Sequence, residues 1–191
     1  QRVGRARELI IKTATLKGLG LVTRASKLGS SDHDLLEALQ TTNATETARV
    51  AFRSFSRYRQ LLEEDQKAPD LMGLVNAEGK LVADDRTQGL PPAVDEDWKK
   101  YDLIQEALDK AQYSKDIWDY NGAIYEVGVA PVLASDSQEV LGAVVIAHTL
   151  NASSAMQEAL LLGMEVALFH GQKVFATSFT KAASEDVAKQ K

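Results

Sequence analysis

The 191-residue chain contains no cysteine. Disulfides, thiolate metal sites, a cysteine nucleophile and CxxCH haem attachment are therefore all excluded. Histidine is scarce, and His33, His148 and His170 show none of the HxxxH or HExxH spacings that converge on a metal. Long apolar runs are missing as well. GAVVIA is typical of the longest, far short of the ~20 residues that cross a bilayer. No Met-led leader pattern is present: Gln1 opens directly into RVGRARELIIKTATLKGLG, and the chain reads as a piece of a longer protein.

The common catalytic signatures are missing too. There is no GxSxG elbow. GLVNAEGKL, from Gly73 to Leu81, has one residue too many between its glycines for a phosphate loop, and Leu81 stands where a magnesium-binding hydroxyl is needed. GLG at Gly18 to Gly20 lies in a helical pattern with no strand before it. The acidic clusters Glu63-Glu64-Asp65, Asp84-Asp85 and Asp95-Glu96-Asp97 lack the spacing of a calcium loop and read as solvated helix ends. The sequons at Asn43 and Asn151 are read as chance matches. The expectation is a protein that is not an enzyme and carries no cofactor.

What is present is enough hydrophobic material, 45% of residues, to bury a core. Charge is unevenly spread. Residues 1–28 hold seven Lys and Arg against Glu8 alone, a local +6 in a chain of formal net charge -5. The acidic remainder argues against a nucleic-acid groove, and the basic stretch reads as a solvated helix face.

The first seventy residues carry helical spacing. Residues 2–28 form one helix; Ser31 or Asp32 caps a short second, DLLEALQ; and a third runs from about Thr47 to Lys67 with Ala51, Phe55, Tyr58 and Leu62 on one face. After Pro69 the period shortens towards two. Leu71–Asn76 and Lys80–Asp84 flank a turn, and a breaker-rich loop, DRTQGLPPAVDE, follows. A helix over DEDWKKYDLIQEALDKA puts Trp98, Tyr101, Gln105 and Leu108 on one face. YSKDIWDYNG reads as an aromatic link, Ala123 to Leu150 as a long hairpin, SSAMQEALLLG as a three-turn helix, and MEVALFHGQKVFATSF as a last hairpin turning at His170 to Gln172.

The long hairpin carries Gly, Ala and Val on both faces. Pairing Leu133 with Val140 sets Val129 against Val144, Val127 against Ile146 and Tyr125 against His148, unless Pro131 marks a bulge that shifts the register by one. A sheet apolar on both sides must be covered on both sides. The N-terminal helices are expected on one face and the Trp98 helix with its loops on the other. A small-molecule pocket is then lined by Trp98, Tyr101, Trp118, Tyr120 and Tyr125, with Arg86 and His148 to bond an anionic or polar ligand. Trp98, Tyr101 and Trp118 read equally as core, and His148 as a satisfied core histidine.

The order of elements resembles the Cache group of extracellular PAS-like sensor domains. The first hairpin matches at Val75-Asn76-Ala77-Glu78-Gly79-Lys80-Leu81-Val82, and the later strands at Ala130-Pro131-Val132 and Leu141-Gly142-Ala143-Val144-Val145. The resemblance covers about Asp70 to Leu150 with the helix before it. It implies an α+β fold, an antiparallel sheet of about five strands packed on a long N-terminal helical stalk. It divides the chain into a stalk (1–68), a sensor module (69–163) and a lead-on (164–191) whose hairpin looks like the start of a second module. The Tyr-x-Arg pattern of amino-acid-binding relatives is not evident, Tyr58-Arg59 lying in the third helix.

The implied role is ligand sensing by a membrane-anchored histidine kinase, chemoreceptor or cyclic-dinucleotide enzyme. The domain would lie on the periplasmic or extracellular face of the inner membrane, bind a small molecule, and dimerise within the full-length receptor. Its contact with the membrane would come only through flanking segments. The rival reading is a protein-interaction module that docks through a helical face bearing Phe52 and Phe55.

Overall fold

The computed structural model describes residues 20–62, 66–93, 96–170 and 173–178. These fall into two compact units: residues 20–118 with 126–148, and residues 119–125 with 149–178. No helix among the described residues is long and apolar enough to cross a membrane.

In the larger unit, α1 runs through residues 20–31, three residues past its expected end. Asp32 stops it and caps α2 (His33–Gln40), its carboxylate accepting the N–H groups of Asp34 and Leu35. Asn43 caps α3 (Ala44–Gln60) in the same way through Thr45 and Glu46. That cap explains why α3 begins ahead of the expected Thr47. The helix also ends at Gln60, short of Lys67, where the Leu61 N–H folds back on carbonyls of the last turn. Ion pairs join the helices: Asp34 binds Arg53 at 2.6 Å and Arg57 at 2.7 Å, and Asp32 binds Arg57 at 2.8 Å.

The sheet has five strands in the order β2-β1-β5-β4-β3: β1 (Leu71–Asn76), β2 (Leu81–Asp84), β3 (Ser114–Tyr120), β4 (Ala123–Leu133) and β5 (Val140–Thr149). The fold is α+β. β1 pairs antiparallel with β2 and with β5, Gly73 lying opposite Val145. β1 is buried almost throughout because its two faces serve two layers. Met72 and Leu74 join Val50, Ala51, Phe55 and Leu35 in the helix-side core. Gly73 faces the other way, where a Cβ would stand 3.0 Å from the Trp98 ring. Each fully buried aliphatic side chain in such a core contributes about 1.5–3 kcal/mol.

Four expectations are corrected here. The segment read as an aromatic link is strand β3, turned into β4 by Asn121 and Gly122, both at positive φ. That is the signature of a two-residue hairpin turn. The Trp98 helix begins later, at α4 (Asp102–Lys110), and buries Leu103, Ile104 and Ala107, with Gln105 exposed. Trp98 precedes it, because its N–H donates to the Gly79 carbonyl and Leu81 N–H donates to Glu96.

The long hairpin slips by one residue, the third correction. Ala134 N–H bonds the Glu139 carbonyl at 2.8 Å, as the expected register requires. Leu150 N–H bonds the Ile124 carbonyl at 2.8 Å, one step out of it. Val144 and Ile146 consequently share the helix-side core with Ala130 and Val132 rather than with Val129 and Val127. Pro131, which has no N–H for the ladder, lies within the slipped stretch. Lastly, Phe55 is fully buried and Phe52 is partly covered, so the docking face that the rival reading needs is absent from α3.

The smaller unit holds α5 (Ala152–Leu162) and an antiparallel pair, β6 (Ala167–His170) and β7 (Lys173–Thr177), as the sequence pattern predicts. Asn151 caps α5 in a reciprocal capping box with Ser154. The expected polar tail and the start of the first helix lie outside the described residues.

Candidate functional site

Of the seven expected ligand residues, four come together on the sheet face turned away from the helices. Trp98 has no exposed surface. Its indole N–H donates to Glu96 Oε2 at 2.9 Å, and its ring meets Trp118 edge-on at 5.8 Å. Trp118 in turn stacks on Tyr101, centroids 4.0 Å apart and planes 9° apart. Geometry of this kind contributes about 0.5–1.5 kcal/mol beyond area burial. Trp98 and Trp118 are thus the floor of the cluster, while Tyr101 is partly exposed, with the Lys100 ammonium 5.0 Å from its ring.

Arg86 joins through the carboxylates. Asp84, at the end of β2, accepts the Arg86 and Thr87 N–H groups at 2.8 and 3.1 Å and holds the Arg86 guanidinium at 2.7 Å. Glu96 lies 3.9 Å from the same guanidinium. Two carboxylates flank one guanidinium, so the cluster is not the cationic anion trap that Arg86 alone suggests. It suits a polar or zwitterionic group, with its aromatic side open to a cation.

The other three stand elsewhere. Tyr120 and Tyr125 belong to the smaller unit, where their rings tilt together at 6.4 Å across the β3–β4 turn. His148 lies on the opposite sheet face from Trp98, the face that Val144 and Ile146 share with it by strand alternation. Burial lowers its pKa to about 4, and the charges of Lys67 and Arg24 act in the same direction. Its Nδ1 is buried without a hydrogen-bond partner.

Residues that the sequence reading passed over include Glu96 and Asp84. Their signal, an acid beside each predicted ligand residue, was read as solvated helix ends. A cavity of about 540 Å³ also opens between α1 and the end of α3, lined by none of the seven. Among the described residues no cluster of His, Asp and Glu could hold a metal ion.

A family model described as the double sensory domain of two-component sensor kinases matches residues 20–190. The chain belongs to this family of sensory domains, which is the Cache class that its sequence resembles. Solved structures share the fold. The sensor domain of the histidine kinase DctB from V. cholerae superposes with a TM-score of 0.61 at 16% identity, over 98% of this chain and 72% of that one. The ligand-binding domain of the Campylobacter jejuni chemoreceptor Tlp3, in complex with L-valine, gives 0.59 at 12% identity, over 92% and 67%. The periplasmic domain of Vibrio cholerae LuxQ gives 0.52 at 12% identity, over 84% and 71%. Among curated proteins no relative matches the sequence.

Proposed function

We propose that the chain is the extracytoplasmic sensory domain of a transmembrane receptor, and that it recognises a small polar molecule at the Arg86–Glu96–Tyr101–Trp118 cluster. The observation that carries this reading is the alternation of carboxylate and guanidinium at Asp84, Arg86 and Glu96 beside a stacked aromatic pair. An ammonium group would lie against Glu96 and the Tyr101 ring, and a carboxylate or carbonyl against Arg86. An amino acid or a small amine carries the right groups, and L-valine occupies the Tlp3 neighbour.

Trp98, wholly buried, positions Glu96 rather than touching the ligand. Residues 1–68 serve as a stalk, 69–163 as the sensing module and 164–191 as the lead-on. Ligand contact with the loop from Asp84 to Tyr101 shifts the population of stalk arrangements, and pairing of two stalks in the full receptor relays the shift.

The test is a thermal-shift panel of amino acids, amines, sugars and carboxylates, followed by calorimetric titration of any hit. A ligand at a hundredfold excess over its Kd raises stability by about 2.7 kcal/mol. Arg86→Ala and Tyr101→Ala should each weaken binding about tenfold or more while the far-ultraviolet circular dichroism is unchanged. Equal affinity in both variants overturns the placement, and silence across the panel overturns the small-molecule reading.

A further inference from the structure

A second site lies on the helix-covered side of the sheet, and its case is independent of the proposed sensing cluster. The cavity between α1 and the end of α3 has a volume of about 540 Å³, within the ~300–1,000 Å³ usual for small-molecule sites. Its walls are of two kinds. Leu28, Leu61 and Leu62 supply apolar surface, and Arg24, Lys27 and Tyr58 supply polar groups.

The charged groups on these walls are unequally engaged. Asp32, also on the wall, is fully engaged: one carboxylate oxygen accepts the N–H groups of Asp34 and Leu35, and the other accepts Arg57. Arg57 is correspondingly spent on Asp32 and Asp34. Arg24 and Lys27 differ. Arg24 gives its Nε–H to the Gly20 carbonyl at 3.1 Å and its guanidinium lies beside the Tyr58 hydroxyl, and among the described residues neither Arg24 nor Lys27 has a carboxylate partner. Two cations therefore line the cavity without a carboxylate partner among the described residues.

Next to them the Tyr58 hydroxyl is buried without a well-formed hydrogen bond, the Arg24 side chain lying beside it. A buried polar atom normally has one, supplied by protein, water or ligand. Arg24 stands close enough to Tyr58 to oppose the rise in phenol pKa that burial imposes. A carboxylate between Arg24 and Lys27 would accept from both cations and from the Tyr58 hydroxyl, while an attached hydrocarbon chain would cover Leu28 and Leu61.

From this arrangement we infer that the α1–α3 cavity binds an amphiphilic monocarboxylate, an anionic head with a short apolar tail. Such a ligand would tie α1 to the end of α3. Head and tail are both required: a bare anion leaves the leucines uncovered, and a neutral alcohol leaves the two cations unmatched.

The experiment is calorimetric titration of the chain with sodium octanoate, alongside acetate, inorganic phosphate and 1-octanol. Octanoate should bind one to one, and the three controls should bind at least tenfold more weakly. Lys27→Gln changes an exposed side chain that makes no ion pair with any described residue, so the fold should be retained. It should weaken octanoate about tenfold, the effect of losing one charge-assisted contact, and Arg24→Gln should do at least as much. Arg86→Ala should leave octanoate binding unchanged, which separates this site from the proposed sensing cluster. No octanoate binding at millimolar concentration overturns the inference. So does octanoate affinity unaltered by Lys27→Gln and Arg24→Gln, or 1-octanol binding as tightly as octanoate.

Discussion

A Cβ on Gly128 would stand 2.9 Å from Leu21 Cγ and 3.2 Å from the Leu21 carbonyl oxygen, so strand β4 and helix α1 meet without room for a side chain between them. Gly29 makes the reciprocal approach from the helix, where a Cβ would lie 2.7 Å from the Pro131 carbonyl oxygen. The glycines of the hairpin and helix are contact points that let α1 lie against the sheet.

Glycine-to-alanine changes in α1 should therefore differ in sign. At Gly20 the nearest heavy atom to a new Cβ is the end of Arg24 at 3.9 Å. Gly20→Ala should stabilise by up to about 1 kcal/mol through helix propensity alone. Gly29→Ala should destabilise by about 1–3 kcal/mol, because the backbone of β4 must give way. Urea denaturation of the two variants checks both, and equal midpoints would refute the close packing.

Asp34 is buried and shared by two arginines. Its hydrogen bond with Arg53 holds the carboxyl below the usual carboxylate range; burial opposes this, and Arg57 adds to it. A depressed folded pKa contributes stability that is complete above the unfolded value near 3.9 and disappears as pH falls through the folded value. Asp34→Asn should cost about 1–3 kcal/mol at pH 7. Denaturation midpoints of wild type and variant should converge as pH falls through the depressed folded value.

His148 loses stability in the same direction, but over a higher pH window. Its folded pKa of about 4 lies below its ordinary 6.5, so the unfolded chain takes up the proton first as pH drops. Stability should fall as pH goes from about 6.5 to 4 and level off below that. The loss should be roughly 1–3 kcal/mol, less than the full shift implies because the ring keeps some solvent contact. His148→Gln should flatten the profile in that window, and an NMR titration of the ring protons should report the low pKa directly.

Ser54 is wholly buried in α3 and its hydroxyl has no partner. Ser54→Ala removes an unsatisfied polar atom and improves helix propensity, so it should stabilise by about 1 kcal/mol. A lower thermal midpoint in the variant would mean that the hydroxyl is bonded in solution.

Much of the sheet was legible in the residues. β1 falls on Leu71–Asn76 as expected because its apolar run ends at a turn that only Gly79, at φ 89°, can close. β4 and β5 were legible from their length and β-branched content. β3 was not, because an edge strand such as SKDIWDY is mostly exposed and shows no apolar alternation. The Asn121-Gly122 turn was its one clear signal. Four of the six residues of the candidate cluster were likewise visible, as three aromatic residues and Arg86. Its carboxylates looked like helix ends because Asp84 and Glu96 acquire their roles only where β2 and the loop before α4 meet.

The sequence by itself determined the absence of thiol chemistry, the change from helical to alternating period at Pro69, and the caps at Asp32, Asn43 and Asn151. These follow from local chemistry within a few residues. Tertiary structure alone decided which side of the sheet each residue faces. Packing of Val144 and Ile146 against the helices sets the face of β5, and strand alternation puts His148 on that same side; the slip near Pro131 decides instead which residues of β4 join them. The α1–α3 cavity has the same origin, since Arg24 and Tyr58 lie 34 positions apart in the chain and share a wall only because two helices pack on one sheet.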